Sequence, residues 1–429
     1  MVNGSYSPLS RMLGDLAYGM SRVRESSGQA KVYWEDPANK TSLNYEGRTV
    51  TAAALRTLVQ ELIREGETLL WQKLLFTEDS EHWIQPNLSQ INEHLSLGSS
   101  AANTAFLSMN NEEKVQQSLE FVKQRLLANA QAKEAMLATS GSSSISSRRS
   151  ILRDSGVRQY KAHLREFLNK LFTLVHITGG APARGTEIGS VRHRDGLTVD
   201  RNLFIIQGRV VFITQYHKGM LLSDKMKVIP RVLPSAVGAL LTLYLQYVRP
   251  FAADIDLVHN RLPDSDYLWA TSKGTAWETE RMSKALSDCS ERLIGVRLTI
   301  QSYRHIAVAF SRDVVHVQRP SSEQFRNFQL EEELLEEDEA EGDDAAALQT
   351  AHTQRLRVNH YAQSINNTAR LTSRSLEVFT SVSKEWHQFL GLEIDQNLKD
   401  RQKGKQHKRF LSVSSNQDKD MSQGKFISS

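Results

Sequence analysis

The chain has 429 residues, of which 40% are hydrophobic, and a formal net charge of +4. This length is enough for two or three domains with a sizeable buried core. A single cysteine, Cys289, excludes a disulfide scaffold and a zinc site built from cysteines. The first ten residues lack a signal pattern, and the longest apolar stretch, 236–248, is too short to span a bilayer. We therefore expect a soluble intracellular protein with no membrane partner.

The charge is distributed unevenly along the chain. The stretch 331–344 carries ten carboxylates and no basic residue, so the rest of the chain carries a net charge of about +14. An acidic block of this kind is typical of a solvated loop, and we predict a disordered acidic insertion at about 325–347. The basic remainder favours a polyanionic partner.

The first 138 residues are expected to form a helical region. Apolar residues recur at intervals of three and four in 50–75 and in 112–137, and each stretch is predicted to be one long helix. Before them, 11–22 is read as a short helix and 31–35 as a short strand. The serine-rich stretch 139–154 predicts a flexible linker.

A second domain is predicted over 155–393, followed by a disordered basic tail over 394–429. It opens with a helix near Tyr160 that ends at Gly179-Gly180. Runs rich in Val, Ile and Phe predict three antiparallel strands, with Gln207-Gly208 as the first hairpin turn and a longer second turn. The predicted strands are 203–206, 209–216 and 226–233, and the later helices are 235–248, 279–294, 302–315, 345–360 and 372–390. The fold class is therefore α+β, mainly helical, with one small antiparallel sheet.

Five residues in this domain suit the chemistry of phosphodiester cleavage without a metal. They are Arg184, Lys218, Arg304, His352 and Tyr361, in that order along the chain. A planar guanidinium binds two phosphate oxygens at once, which an ammonium group does not do. A lysine can donate a proton to the departing oxygen, and a tyrosine can attack the phosphorus.

Three local strings surround these residues. They are Ala183-Arg184-Gly185-Thr186-Glu187, Gln301-Ser302-Tyr303-Arg304-His305, and His352 followed nine positions later by Tyr361. Over roughly residues 155–390, this pattern resembles the tyrosine recombinase (phage-integrase-like) family, and most closely its eukaryotic Crypton-type and fungal members.

The resemblance implies a site-specific recombinase of a mobile element, active in DNA recombination and DNA integration in the nucleus. Tyr361 would form a 3′-phosphotyrosyl link with double-stranded DNA, assisted by Arg184, Lys218, Arg304, His352 and Gln301. Glu187 would orient Arg184 or the local helix. The implied assembly is a homotetramer on DNA, and the implied chemistry needs no metal and no cofactor. The N-terminal region, 1–138, would clamp the DNA.

The sequence departs from the family pattern at Gln301, where the family has a histidine. Glutamine can donate a hydrogen bond to a phosphate oxygen but cannot carry charge or shuttle protons, so catalytic activity stays open. The 48 residues from Arg304 to His352 exceed the spacing of compact family members. An insertion at about 325–347 explains the excess at little cost, because loop-closure entropy grows slowly with length.

Further basic residues are predicted to contact the DNA backbone, which positions DNA without reading its sequence. They are Arg192, Arg194, Lys225, Lys227, Arg312, Arg355 and Arg357. A loose basic cluster in the tail (Lys403, Lys405, Lys408, Arg409) is typical of a nuclear localisation signal or a DNA tether.

Simpler interpretations of the same residues remain. Arg184 and Glu187 also suit an ordinary ion pair at a helix N-terminus, Lys218 a solvated loop charge, and Tyr361 a buried helical tyrosine. Two alternative functions follow: a catalytically inactive DNA-binding protein with the recombinase fold, or an inert remnant of a mobile element. Gln301 favours the inactive alternative, whereas the presence of a tyrosine at position 361 opposes it, because a pure binding module needs no nucleophile.

Overall fold

The computed structural model describes most of the chain between residues 32 and 392. The described ranges are 32–77, 87–88, 91, 105–137, 152–196, 199–216, 227–259, 264–315 and 373–392. Within them, no helix is both long and apolar enough to cross a bilayer.

The first described elements form a small antiparallel sheet. Its strands are β1 (Val32–Trp34), β2 (Ser42–Tyr45) and β3 (Arg48–Thr51), in that order. The strand predicted near 31–35 is β1. The β2–β3 hairpin was missed, because its turn is Glu46-Gly47 rather than Asn-Gly or Asp-Gly, although both residues adopt the positive φ that a tight hairpin turn requires (49° and 80°).

Helix α1 (Ala52–Thr68) follows directly and confirms the predicted first long helix. It begins at Thr51, whose hydroxyl accepts a hydrogen bond from the backbone N–H of Ala54. It continues as a wider π-helical turn over Leu69–Leu74. Its apolar stripe, Leu55, Leu58, Val59 and Leu62, is fully buried.

The prediction of one helix over 112–137 is wrong in one respect. The segment contains two helices, α2 (Glu112–Ala128) and α3 (Ala130–Met136), separated by Asn129. Asn129 has an extended backbone, and its side chain accepts a hydrogen bond from the N–H of Ala132. A residue that caps a new helix in this way cannot also continue the old one.

The following segment supports the candidate site. Helix α4 (Asp154–Thr178) ends at Gly179, as predicted, and every residue from Lys170 to Thr178 is buried. A short helix, α5 (Gly185–Gly189), follows after a six-residue loop.

A second sheet lies at the positions that the sequence predicts. Its strands are β4 (Leu203–Ile206), β5 (Arg209–Tyr216) and β6 (Lys227–Val232), antiparallel and in that order. Gln207 and Gly208 form the first turn, with φ values of 50° and 74°. Phe212 of β5 lies opposite both Leu203 and Arg231, so these three residues share the face directed at the main core. The other face packs against Leu376.

Five more helices complete the described chain. They are α6 (Ser235–Leu243), α7 (Arg249–His259), α8 (Thr279–Ile294), α9 (Ile300–Phe310) and α10 (Ser373–Phe389). Helix α8 has the predicted bounds, and α10 lies within the predicted 372–390. Helix α6 continues through a π-helical turn (Tyr244–Val248) directly into α7. Helix α7 was not predicted, because it contains Pro250, which disfavours a helix interior. The α+β, mainly helical class is confirmed, with two small sheets rather than one.

One large buried cluster includes residues of α1, α2, α4, α8 and α9. An ion-pair network also joins α1 to α4 and α8. Glu65 of α1 bonds Lys170 of α4 at 2.8 Å and Arg292 of α8 at 2.6 Å. The hydrogen bonds from Arg292, above all, lower the pKa of Glu65 to about 2. The division into a 1–138 region and a 155–393 domain stays a prediction.

Candidate functional site

Arg184 stands immediately before α5, where its backbone is extended. Its backbone N–H donates to Glu187 Oε2 at 3.1 Å, and its Nη1 lies 3.3 Å from Glu187 Oε1. The Arg184 side chain keeps 18% of its surface exposed. The guanidinium is therefore held by a carboxylate one turn ahead, in a side chain that stays partly exposed.

Two glycines determine the path of the chain on either side of Arg184. Gly180 adopts a φ of 89°, which only glycine reaches without strain. A Cβ on Gly185 would lie 2.5 Å from Thr279 Oγ1 at the start of α8. Helix α5 therefore packs directly against the first turn of α8, and Arg184 lies at this junction.

Arg304 lies on α9. The residue before it, Tyr303, attaches this helix to the end of α4. Tyr303 is fully buried, and its hydroxyl donates to the carbonyl oxygen of Ile177 at 2.9 Å. Trp386 of α10 donates its Nε1–H to the same oxygen at 2.8 Å. Since Ile177 lies seven residues before Arg184, α9 and α10 are both anchored beside the loop that leads to Arg184.

A shallow pocket marks where the loop and α9 meet. It is lined by Gly180, Ala181, Pro182, Ala307, Ser311, Val382 and Trp386. Ala307 lies one turn beyond Arg304 on α9. The structure thus carries Arg184 and Arg304 on two elements that pack against each other.

His176 lies beneath this junction and was not identified from the sequence. Its ring is 2% exposed, stacks on Phe172 with a centroid distance of 5.9 Å, and lies 5.5 Å from the ring of Tyr303. Burial, and then the positive charges of Arg231 and Arg304, lower its pKa to about 3. The imidazole is therefore neutral at physiological pH.

Arg231 is a second residue that sequence reasoning missed. It lies on β6, is 2% exposed, and donates from Nε to Thr214 Oγ1 at 3.2 Å. The sequence could have predicted its burial, because a strand with alternating faces places position 231 on the same side as the core residue Leu233. A basic residue at such a position indicates a buried charge.

The other residues of the Gln301–His305 string have distinct surroundings. Gln301 is exposed on the first turn of α9. His305 stacks on Tyr45, with ring centroids 5.2 Å apart, so its ring packs against the N-terminal sheet. Burial raises the pKa of Tyr303 far above its ordinary value, which makes its hydroxyl unsuitable as a nucleophile.

Two of the arginines predicted to contact DNA belong to an ion-pair network. Arg192 donates to the hydroxyl of Tyr267 at 2.9 Å and lies over its ring. Arg194 bonds Asp266 at 2.6 Å and the carbonyl oxygen of Asp264 at 2.7 Å. Their guanidinium groups hold 191–196 against 264–268, and a role in DNA contact stays a prediction.

Arg312, also predicted to contact DNA, pairs with Asp313 through Nε and Nη2, at 3.0 and 3.1 Å. Asp313 accepts a third hydrogen bond, from Trp34 Nε1, at 2.7 Å. Lys227, which is also predicted to contact DNA, is the first residue of β6.

Several predicted residues lie outside the described part of the chain. They are Lys218, Lys225, His352, Arg355, Arg357 and Tyr361. The predicted acidic insertion, the basic tail, the helices at 11–22 and 345–360, and most of the linker also fall there. Their assigned roles stay predictions.

No family model matches the chain, and no solved structure matches it.

Proposed function

We propose that this protein binds double-stranded DNA and cleaves and rejoins it through a 3′-phosphotyrosyl intermediate, as a site-specific recombinase of a mobile element. The observation that carries the proposal is the hydrogen bond from Tyr303 to Ile177. This bond fixes α9, with Arg304, against the end of α4, from which the chain runs directly to Arg184. Two arginines distant in sequence are thereby held on adjoining elements, as a phosphate clamp requires.

The proposed reaction assigns each residue one task. Arg184 and Arg304 bind the non-bridging oxygens of the scissile phosphate, with hydrogen bonds from Gln301 and His352. The hydroxyl of Tyr361 loses its proton to solvent and attacks the phosphorus, so that a tyrosyl–phosphate bond forms as the bond to the 5′ oxygen breaks. Lys218 gives its proton to that departing oxygen. The reverse reaction rejoins the strand without ATP, because the phosphotyrosyl link conserves the energy of the phosphodiester bond that was broken.

The pair between Arg184 and Glu187 supports the clamp. A carboxylate one turn away limits the rotamers of the guanidinium before a phosphate arrives, which reduces the entropy lost on binding. The remaining parts of the proposal are action in the nucleus and assembly of four protomers on DNA.

A second candidate function is DNA binding without cleavage. Gln301 favours it, since the exposed amide at the start of α9 cannot replace the charge of a histidine. The two candidates differ in a single observable, the covalent protein–DNA link.

The deciding experiment uses the full chain and duplex DNA that carries candidate element ends with a nick placed to trap the intermediate. We expect a covalent adduct on a denaturing gel with the wild-type protein and none with Tyr361→Phe, while the two bind DNA equally well. DNA binding with no adduct from the wild-type protein would favour the second candidate. An adduct that persists in Tyr361→Phe would move the nucleophile to another residue.

A further inference from the structure

The N-terminal sheet (β1–β3) lies along α9, the helix that carries one of the two clamp arginines. Trp34 of β1 packs edge-on against Phe310, with ring centroids 5.1 Å apart and ring planes at 86°. Its Nε1–H donates to Asp313, in the turn directly after α9, at 2.7 Å. Tyr45 of β2 stacks on His305, with ring centroids 5.2 Å apart and ring planes at 19°. Two strands therefore contact α9 from its middle to the turn beyond its end.

The contact between the sheet and the helix belongs to the core. Tyr45 and Phe310 are both buried in the large cluster, and Trp34 packs against that cluster. Arg48 of β3 adds a hydrogen bond just before the helix, from Nη1 to the carbonyl oxygen of Arg297 at 3.1 Å. Aromatic pairs in edge-to-face and stacked arrangements contribute more than the area they bury. The sheet and α9 are therefore packed together over the length of the helix.

Helix α9 is held on another side by α4. Tyr303 donates to the carbonyl oxygen of Ile177 at the end of α4, whereas His305 stacks on the sheet. Successive residues of a helix lie about 100° apart, so these two contacts are about 200° apart around the axis. Arg304 lies between them, on the same face as the exposed Gln301 one turn earlier. The two contacts together therefore fix the rotation of α9, which determines the direction of Arg304.

We propose that the N-terminal sheet positions Arg304 for the scissile phosphate, with Tyr45 and Trp34 as positioning residues that act through α9. This inference rests on the proposed function. A displacement of about 1 Å at a reacting group can cost roughly 10²-fold in rate, so a clamp arginine needs a rigid support. The sequence did not reveal this role, because Trp34 and Asp313 lie 279 positions apart. Residues 32–51 then serve the clamp itself, whereas the resemblance suggested only DNA clamping for this region.

The first test measures single-turnover adduct formation by the full chain on nicked DNA. Tyr45→Leu removes the ring that stacks on His305 and should slow the adduct by about 10-fold or more, with DNA affinity nearly unchanged. Tyr45→Phe keeps the ring and should restore most of the rate. Tyr33→Leu is the matched control, the same kind of change in the same sheet. Tyr33 is 50% exposed and points to the face opposite Trp34, so we expect the wild-type rate.

A double-mutant cycle separates positioning from a general loss of stability. If Tyr45 acts through Arg304, Tyr45→Leu should have no further effect on the rate in an Arg304→Ala background. A general loss of stability would slow adduct formation by the same factor in both backgrounds. The cycle therefore tests the route by which the sheet acts.

Hydrogen exchange of the α9 amides tests the support without DNA. Tyr45→Leu should accelerate exchange over 300–310 relative to the wild-type protein and to Tyr33→Leu, because α9 loses a packing contact. Trp34→Phe is a milder variant that keeps a ring beside Phe310 and loses the hydrogen bond to Asp313. It should accelerate exchange at the end of α9 and slow the adduct, and it decides the question if Tyr45→Leu does not fold.

Faster exchange over 300–310, together with a slower adduct only where Arg304 is present, would support the proposal. A wild-type adduct with unchanged exchange or an unchanged rate in the variants would overturn the positioning role alone. An equal effect of Tyr45→Leu in the wild-type and Arg304→Ala backgrounds would also overturn it. Absence of the adduct from the wild-type protein would overturn the proposed function and, with it, the positioning role.

Discussion

The hydroxyl of Tyr303 donates a hydrogen bond to the carbonyl oxygen of Ile177, 126 positions earlier in the chain. The same oxygen accepts a bond from Trp386, so one carbonyl at the end of α4 anchors both α9 and α10. A buried acceptor with two donors makes this joint specific, because either helix in another position would leave polar groups unpaired. Arg304 follows Tyr303, so the joint also determines where its guanidinium can reach.

The first prediction concerns this joint. Tyr303→Phe should lower the free energy of unfolding by about 1 kcal/mol, since one buried hydrogen bond is lost while Ile177 keeps the bond from Trp386. The adduct should still form on nicked DNA, because Tyr303 is not the nucleophile. Chemical denaturation and the adduct assay measure the two effects. Complete loss of the adduct in a folded Tyr303→Phe protein would contradict this assignment.

The second prediction concerns the clamp. Arg184→Ala or Arg304→Ala should slow adduct formation by roughly 10²-fold or more, since each removes fixed donors from the developing charge, a loss of about 3–4 kcal/mol. Arg184→Lys should restore little activity, because an ammonium group cannot bind two oxygens in one plane. Single-turnover rates on nicked DNA test this, with Arg64→Ala as the control. Full activity in Arg184→Lys would count heavily against a phosphate clamp.

The third prediction concerns the network that joins α1 to α4 and α8. The pKa of Glu65 is lowered to about 2, so its contribution to stability is present above its ordinary value of 4.5 and is lost as the pH falls from there toward 2. Glu65→Gln should cost about 2 kcal/mol at pH 7, partly because it removes a charged partner of Lys170, whose side chain is only 7% exposed.

The control for the third prediction lies on the same helix. Glu61→Gln breaks the exposed pair with Arg64 and should change stability by less than about 0.5 kcal/mol. Urea denaturation at pH 7 and at pH 3 measures both variants. Equal losses for Glu61→Gln and Glu65→Gln would show that the network of Glu65, Lys170 and Arg292 contributes nothing specific.

The fourth prediction concerns His176, whose pKa is lowered from 6.5 to about 3. Below pH 6.5 the unfolded chain binds a proton that the folded protein rejects, so stability falls as the pH decreases through this window. His176→Phe retains an aromatic ring beside Phe172 and removes this effect. Both proteins should lose stability between pH 8 and pH 5. The loss should be about 2 kcal/mol smaller for the variant than for the wild-type protein.

Thermal or urea unfolding at pH 8 and pH 5 tests the fourth prediction. His193 is also buried with a lowered pKa, and it contributes equally to both proteins, so the comparison isolates His176. Parallel stability curves for the two proteins between pH 8 and pH 5 would mean that His176 is protonated without penalty in the folded state.

Elements defined by local patterns could be predicted closely. Helix α8 has the predicted bounds, and the turn at Gln207-Gly208 lies where its residue types indicate. Helical periodicity and turn chemistry act over a few residues, so the sequence alone carries them. The helix boundary at Asn129 also depends on a local feature, the capping side chain of Asn129. It was missed because the apolar stripe continues across it.

By itself, then, the sequence determined most of the helices, the three strands β4–β6, and an ordered set of residues suited to phosphate chemistry. Only the tertiary structure decided which of these charges are paired. Arg194 meets Asp264 and Asp266 across 70 and 72 positions, and Arg292 meets Glu65 across 227. Ion pairing and burial depend on which distant segments come within a few ångströms, and no local periodicity encodes that distance.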